Sequence, residues 1–165
     1  MLSSFFELDL ISWQGLPSML TVAEVSKKFP ALSEESGLGF LGSKPIQANF
    51  KVLPASNFLP PLQIWYLNDQ VIKLEGSHPQ IKNLDLEQLI QNLGEPEAKL
   101  DFNYDISFIE KGEWVYPKRG LSLCRLESGK VVKLIGFHPM SLEQYKSEIR
   151  YDEPIREFLE PDGDY

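Results

Sequence analysis

An internal repeat sets the strongest limit on how this chain can fold. The segment Val71–Pro79 (VIKLEGSHP) returns as Val131–Pro139 (VVKLIGFHP), and six of its nine positions are identical at a constant spacing of 60 residues. A fixed spacing of this size is typical of a duplicated supersecondary unit. The sequence therefore predicts that two copies of one unit, packed side by side, build the protein.

Three helix starts are predicted by a side-chain oxygen followed three residues later by Glu or Gln, because each side chain can then bond to the backbone N–H of the other. The second of these starts follows the first by 64 residues, close to the spacing of the repeat. The first helix is expected to stop at Pro30 and the second at Gly94. The three pairs are Thr21 with Glu24, Asp85 with Gln88, and Ser141 with Gln144.

After each of the first two helices come extended segments and a hairpin. The extended segments are Ile46–Leu53 in the first unit, and Lys99–Ile109 and Glu113–Tyr116 in the second. The hairpins join Leu62–Leu67 to Gln70–Gly76 through Asn68-Asp69, and Leu121–Leu126 to Lys130–Phe137. Loops are predicted at Ser33–Pro45 and Pro54–Pro61, because these two segments are rich in Gly, Ser and Pro.

These elements predict an α+β fold made of two tandem repeats, each a short helix plus a three- or four-stranded antiparallel sheet, with a C-terminal helix. We divide the chain into an N-terminal arm or edge strand, two αβ repeats, and a C-terminal helix with an acidic tail. The corresponding ranges are 1–15, 16–80, 81–140 and 141–165.

Composition narrows the classes of function. The net charge is −8, and the acidic residues of 151–165 supply much of it, so binding to a nucleic-acid backbone is not expected. No apolar run approaches the roughly 20 residues of a membrane span, and the first residues do not resemble a signal peptide. We therefore expect a soluble, cytoplasmic protein. The single Cys124 cannot form an internal disulfide and is expected to be a buried thiol.

Chemical motifs are few. Gly37–Gly42 has the letters of a dinucleotide fingerprint, but without a strand before it and a helix after it we expect a flexible loop. His78 and His138 are the only histidines, and as equivalent members of the repeat they are expected to cap strand exits by bonding to backbone. Their alternative role is a small-molecule or metal site between the repeats. The acids Asp101, Asp105, Glu110 and Glu113 crowd one region without defining a catalytic pair.

Aromatic and cationic side chains on the strands are the better lead to function. Tyr, Trp and Arg are the residue types that most often dominate the energetics of protein interfaces. For the large rings of Trp65 and Trp114, filling the core is an equally good interpretation. The predicted partner-binding residues are Trp65, Tyr66, Trp114, Tyr116, Arg119 and Arg125.

The repeated segments Val71–Pro79 and Val131–Pro139, in a chain of this size, give an architecture that resembles the tandem fold of the secreted β-lactamase inhibitor proteins. It is similar, more loosely, to the outer-membrane assembly lipoproteins that contain one such unit. The resemblance covers roughly residues 16–140. It implies a protein without enzymatic activity that grips a partner protein with a concave sheet.

The sequence therefore predicts a non-catalytic protein-binding module, inhibitor-like or immunity-like, that presents an open sheet surface to a protein partner. We expect a monomer or homodimer that has no cofactor, no metal and no membrane or nucleic-acid partner. The alternative is a small-molecule or metal-binding protein, or an enzyme, with its site between the two repeats.

Overall fold

The elements alternate between short helices and antiparallel strands in a computed structural model that describes residues 2–28, 33–41, 44–52, 63–76, 80–101, 112–125 and 130–150. The helices are α1 (Leu2–Phe6), α2 (Val22–Lys28), α3 (Leu86–Leu93) and α4 (Leu142–Gln144). The strands of the first half are β1 (Ser33–Leu41), β2 (Lys44–Val52), β3 (Gln63–Leu67) and β4 (Gln70–Gly76). Those of the second half are β5 (Ala98–Asp101), β6 (Gly112–Tyr116), β7 (Leu121–Arg125) and β8 (Val131–Phe137).

All eight strands form one antiparallel sheet in the order β1-β2-β3-β4-β8-β7-β6-β5. Each half is a helix followed by four strands that pair in chain order, and the last strands of the two halves pair with each other. The predicted α+β class, with antiparallel strands and a C-terminal helix, is confirmed. Common origin of the two halves stays a prediction.

The seam between β4 and β8 has a register that matches the sequence repeat. Glu75 pairs with Ile135, the residue that the 60-residue spacing makes its equivalent. On either side of this pair, Leu74 faces Gly136 and Gly76 faces Leu134, so the two repeated segments cross about a local two-fold axis. The strands that carry the repeat are therefore the strands that join the halves.

All three predicted helix starts are confirmed by their capping bonds. The backbone N–H of Glu24 donates to Thr21 Oγ1 at 3.2 Å, and that of Gln88 donates to Asp85 Oδ1 at 3.0 Å. Ser141 accepts from Gln144 in the same way, with the reciprocal bond also present. Helix α3 ends at Gly94, which adopts the positive φ of 82° that favours glycine.

The prediction of a loop over Ser33–Pro45 is wrong. Residues 33–41 form β1, and Gly37 pairs with Ala48 of β2 within a continuous antiparallel ladder. Glycine and serine disfavour strands only weakly, and the hydrogen bonds to β2 override that preference. The glycine run of Gly37–Gly42 thus lies largely in a strand that leads to another strand, without the strand-to-helix turn that a dinucleotide fingerprint requires. The predicted loop Pro54–Pro61 lies outside the described residues.

The sheet has two differently covered faces. The side that packs against α1, α2 and α3 is called the helix face, and it carries Leu74, Leu123 and Leu134. The side that packs against the C-terminal residues Tyr145 and Ile149 is called the C-terminal face. Apolar strand residues on that side include Val115, Cys124, Ile135 and Phe137. Side chains alternate between the two faces along each strand.

The N-terminal residues supply much of the core on the helix face. Phe5 and Trp13 are fully buried and their ring centroids lie 5.0 Å apart. Gly136, a member of the sequence repeat, lies directly beneath them, where an added Cβ would come within 2.7 Å of the Phe5 ring and 3.1 Å of Trp13. Glycine at this position therefore lets two aromatic rings rest on the strand backbone.

The C-terminal helix, predicted to start at Ser141, is less regular than a single α-helix. After α4 the chain forms a π-helical turn, Tyr145–Ile149, and the backbone N–H of Arg150 donates to Tyr145 O at 2.9 Å. A π-turn widens the helix by one residue and commonly accompanies a specific side-chain requirement. Here Tyr145 and Arg150 both contact Glu113 of β6.

Candidate functional site

The structure brings two of the predicted partner-binding residues, Trp114 and Arg125, into direct contact. The Arg125 Cζ atom lies 3.8 Å from the centroid of the Trp114 ring, and the Lys99 Nζ atom lies 4.9 Å from it. These distances allow cation–π attraction. Trp114 packs against the core of the helix face but remains partly exposed. Arg125 is also partly exposed, and Lys99 is exposed. We call Lys99, Trp114 and Arg125 the tryptophan platform.

Strand pairing places the platform on one end of the helix face. Lys99 of β5 is directly opposite Trp114 of β6, and Trp114 is opposite Leu123 of the helix-side core. Arg125 is opposite Gly112 of β6. Because glycine has no side chain, the Arg125 guanidinium can lie across β6 and reach the Trp114 ring. The exposed Glu95 forms an ion pair with Lys99 at 3.1 Å, so the rim of the platform carries both signs of charge.

Two other predicted residues are engaged inside the protein. Tyr116 is only 5% exposed and its hydroxyl donates to Gly94 O at 3.2 Å. Burial, followed by the nearby Glu95 carboxylate, raises the pKa of Tyr116. Arg119 donates from Nη1 to Ile11 O at 3.0 Å and to Trp13 O at 3.1 Å, which fastens the N-terminal segment to the sheet.

Trp65 and Tyr66 are neighbours in β3 and point to opposite faces. Tyr66 packs against the helix-side core. Trp65 pairs with Lys73, which pairs with Phe137, so these three lie on the C-terminal face. Trp65 is therefore on the side of the sheet opposite to the tryptophan platform, and the six predicted residues do not form one surface.

Trp65 belongs to a charged cluster at the seam. Lys73 Nζ lies 4.6 Å from the Trp65 ring centroid and 3.0 Å from Glu75 Oε2. Burial tends to raise the pKa of Glu75, but Lys73 and Lys133 outweigh it, and the net pKa is lowered. Lys73 and Lys133 are equivalent positions of the repeat, so the local two-fold axis places both near the one carboxylate.

His138 bonds to backbone, as expected for a strand exit. Its Nδ1 lies 2.9 Å from Leu16 O and its Nε2 lies 3.1 Å from Val71 O. The ring nitrogen that carries the proton donates to its carbonyl oxygen, and the imidazole lies between the N-terminal segment and β4 at the end of β8. Its equivalent, His78, lies outside the described residues, so the alternative site that pairs the two histidines stays a prediction.

The buried carboxylate of Glu113 contacts three side chains, and its role was not predicted from the sequence. Its Oε2 accepts from the hydroxyls of Ser122 at 2.7 Å and Tyr145 at 2.6 Å, and its Oε1 lies 2.9 Å from Arg150 Nε. Its side chain is 1% exposed. Cys124 of β7 pairs with Glu113 and is buried, as predicted. The enclosed cluster suits a structural role, because no substrate could reach it without displacing the C-terminal turn.

This cluster predicts a fall in stability at alkaline pH. Burial, followed by the negative charge of Glu113, raises the pKa of Tyr145 well above its ordinary value of 10.0. Because the folded pKa exceeds the unfolded one, the contribution of the protonated phenol is complete below pH 10.0 and is lost as the pH rises toward the folded pKa. Urea unfolding between about pH 8 and 11 should show this loss in the wild type and a flatter profile in Tyr145→Phe. Equal profiles would contradict the assignment.

Within the described ranges, no group of three or more His, Cys, Asp or Glu side chains could hold a metal ion. None of the helices in that part of the chain has the length and apolar character that a membrane crossing requires. Comparison of the chain with protein-family models, with curated proteins and with solved structures gives no significant match.

Proposed function

We propose that the protein is a non-catalytic protein-binding module that uses the tryptophan platform as the centre of its interface. The observation that carries this proposal is the contact of the Arg125 guanidinium with the Trp114 ring, where Cζ lies 3.8 Å from the ring centroid and both side chains are partly exposed. Trp and Arg dominate the binding energy of protein interfaces when they lie at a well-packed centre.

Contacts within the platform limit the conformations of its side chains, which favours binding. Trp114 is held from below by the core, and its ring holds the cations of Arg125 and Lys99 in place. A side chain that is fixed before binding loses less conformational entropy when a partner arrives. The Lys99–Glu95 ion pair and the Arg125 guanidinium give the rim of the platform a net positive charge. A partner surface with a carboxylate beside an apolar centre would complement it, because opposite charges steer encounter and fix register.

The other predicted residues have indirect parts in this proposal. Tyr116 and Arg119 support the fold beneath and beside the interface, and Trp65 lies on the other face of the sheet. An inhibitor-like or immunity-like role is the specific form we propose, because eight strands joined in one sheet hold the platform on a rigid base. Rigid, preformed surfaces are typical of inhibitor proteins.

Affinity capture with purified variants tests the proposal. Immobilised wild-type protein, Arg125→Glu and Trp114→Ala would be exposed to lysate of the native host, and retained proteins identified by mass spectrometry. A specific partner, once purified, should bind each variant at least about thirtyfold more weakly, the loss expected for a hot-spot contact of about 2 kcal/mol.

A matched control carries Lys146→Ala, which removes an exposed cation of the C-terminal turn, the element that packs on the other face of the sheet. This variant should bind the partner as the wild type does, and circular dichroism should show that all four proteins are folded. A partner that binds the platform variants and the control with equal affinity would contradict the proposed surface.

A further inference from the structure

An open groove of about 610 Å³ lies between α1, the segment before α2, and α2 itself. Leu2 and Leu20 are almost fully buried and form its apolar floor, whereas Met19 is 75% exposed at its edge. Contact with an apolar ligand in the groove would remove the exposed Met19 side chain from water, which is favourable. This groove is separate from the tryptophan platform and plays no part in the proposed function.

The polar rim of the groove is mainly cationic. Lys27 and Lys28, in the last turn of α2, are both exposed and line the groove. Among the described residues neither forms a salt bridge with an acid within 4.0 Å. Glu24 also lines the groove, but its Oε2 accepts from Thr21 N at 2.9 Å and from Thr21 Oγ1 at 3.0 Å, so it serves the helix start.

The combination of size, apolar floor and cationic rim defines a class of ligand. The volume falls within the range of about 300–1,000 Å³ that is typical of small-molecule sites. A helical peptide or a membrane surface would need a longer apolar strip than Leu2, Met19 and Leu20 provide. A single alkyl chain with an anionic head matches both the floor and the rim.

We propose that this groove binds a free fatty-acid carboxylate, with the alkyl chain along Leu2, Met19 and Leu20 and the carboxylate at Lys27 and Lys28. The apolar contacts supply most of the affinity, because the lysines are exposed and their charges are screened by water and salt. The lysines supply the selectivity for a negative head group.

Methyl NMR of methionine tests this directly. The chain has three methionines, and Met140 packs against the core of the C-terminal face, away from Met19. With methyl-labelled methionine, titration with laurate below its micelle concentration should shift the Met19 signal saturably and leave Met140 unmoved. Dodecyltrimethylammonium, which has the same chain and the opposite charge, should bind at least about tenfold more weakly.

Two variants separate the apolar and charged contributions. K27E/K28E should weaken laurate binding about tenfold relative to the matched double charge reversal K130E/K146E. M19S should weaken laurate binding severalfold and leave the fold unchanged, because Met19 is exposed. For M19S, isothermal titration calorimetry replaces the methyl signal as the readout. The proposal is overturned if Met19 does not move, if the cationic amphiphile binds as well as laurate, or if both double variants bind laurate equally.

Discussion

Glu113→Ala should lower the free energy of unfolding by about 3–5 kcal/mol, the usual cost of removing one partner of a buried ion pair. The substitution leaves the Arg150 side chain, which is 11% exposed, without its carboxylate, and leaves the hydroxyls of Ser122 and Tyr145 without their acceptor. Urea unfolding monitored by tryptophan fluorescence measures the change. The C-terminal turn should also lose protection against amide hydrogen exchange.

Glu148→Ala is the matched control for that experiment, because Glu148 is an exposed acid on the same C-terminal turn. It should change the free energy of unfolding by less than about 0.5 kcal/mol. Tyr145→Phe removes only one hydrogen bond and should fall between the two, at about 1–2 kcal/mol. If Glu113→Ala proves no more destabilising than Glu148→Ala, the cluster does not hold the C-terminal turn on the sheet.

Trp13→Ala should destabilise the protein by about 3–5 kcal/mol, as expected for truncation of a large aromatic side chain in a core. Trp13 is fully buried against Phe5, and its Nε1 donates to Gly120 O at 3.0 Å. Thermal and urea unfolding measure the loss. Gly120 O also accepts from Phe137 N at 2.9 Å, so the Trp13 side chain and the end of β8 share one carbonyl acceptor.

Ile11→Ala provides the control for Trp13, since Ile11 belongs to the same segment but its side chain is 44% exposed. Its substitution should cost less than about 1 kcal/mol, because little apolar area leaves water at that position on folding. Trp13→Phe should give an intermediate loss, since it retains an aromatic ring but removes the indole donor. A loss for Trp13→Ala no larger than that for Ile11→Ala would show that the N-terminal segment is not part of the cooperative core.

The elements that could be predicted from sequence are those with local signals. A capping pair such as Thr21 with Glu24 is separated by only three positions along the chain, so the sequence alone reveals it. The predicted Asn68-Asp69 turn is confirmed by positive φ at both residues. The strand β1 could not be predicted in this way. The glycine and serine residues of β1 have low strand propensity. The hydrogen bonds that overcome this low propensity are made with β2, so the residues of β1 alone do not reveal the strand.

The candidate site was harder to predict because side-chain direction depends on register. Trp65 and Trp114 both lie within predicted strands, yet one lies on each face of the sheet. The role of Glu113 depends on Arg150 and Tyr145, which are more than 30 residues away and reach it through a π-turn. One signal was present in the sequence: the alternation of Trp114 and Tyr116 with Glu113 and Val115 predicts that Glu113 faces away from the first pair.

The β4–β8 seam determines which strand edge is exposed when the chain ends before β8, as it does during synthesis or after proteolysis. Among the described strands, only this pairing joins the two four-stranded halves of the sheet, and β8 is formed some 60 residues after β4. Until β8 is in place, β4 presents a row of unpaired backbone N–H and C=O groups, the template from which edge-to-edge aggregation starts. A nascent chain or fragment that ends before β8 therefore carries a self-complementary edge, and completing the second half protects the first from association with other copies.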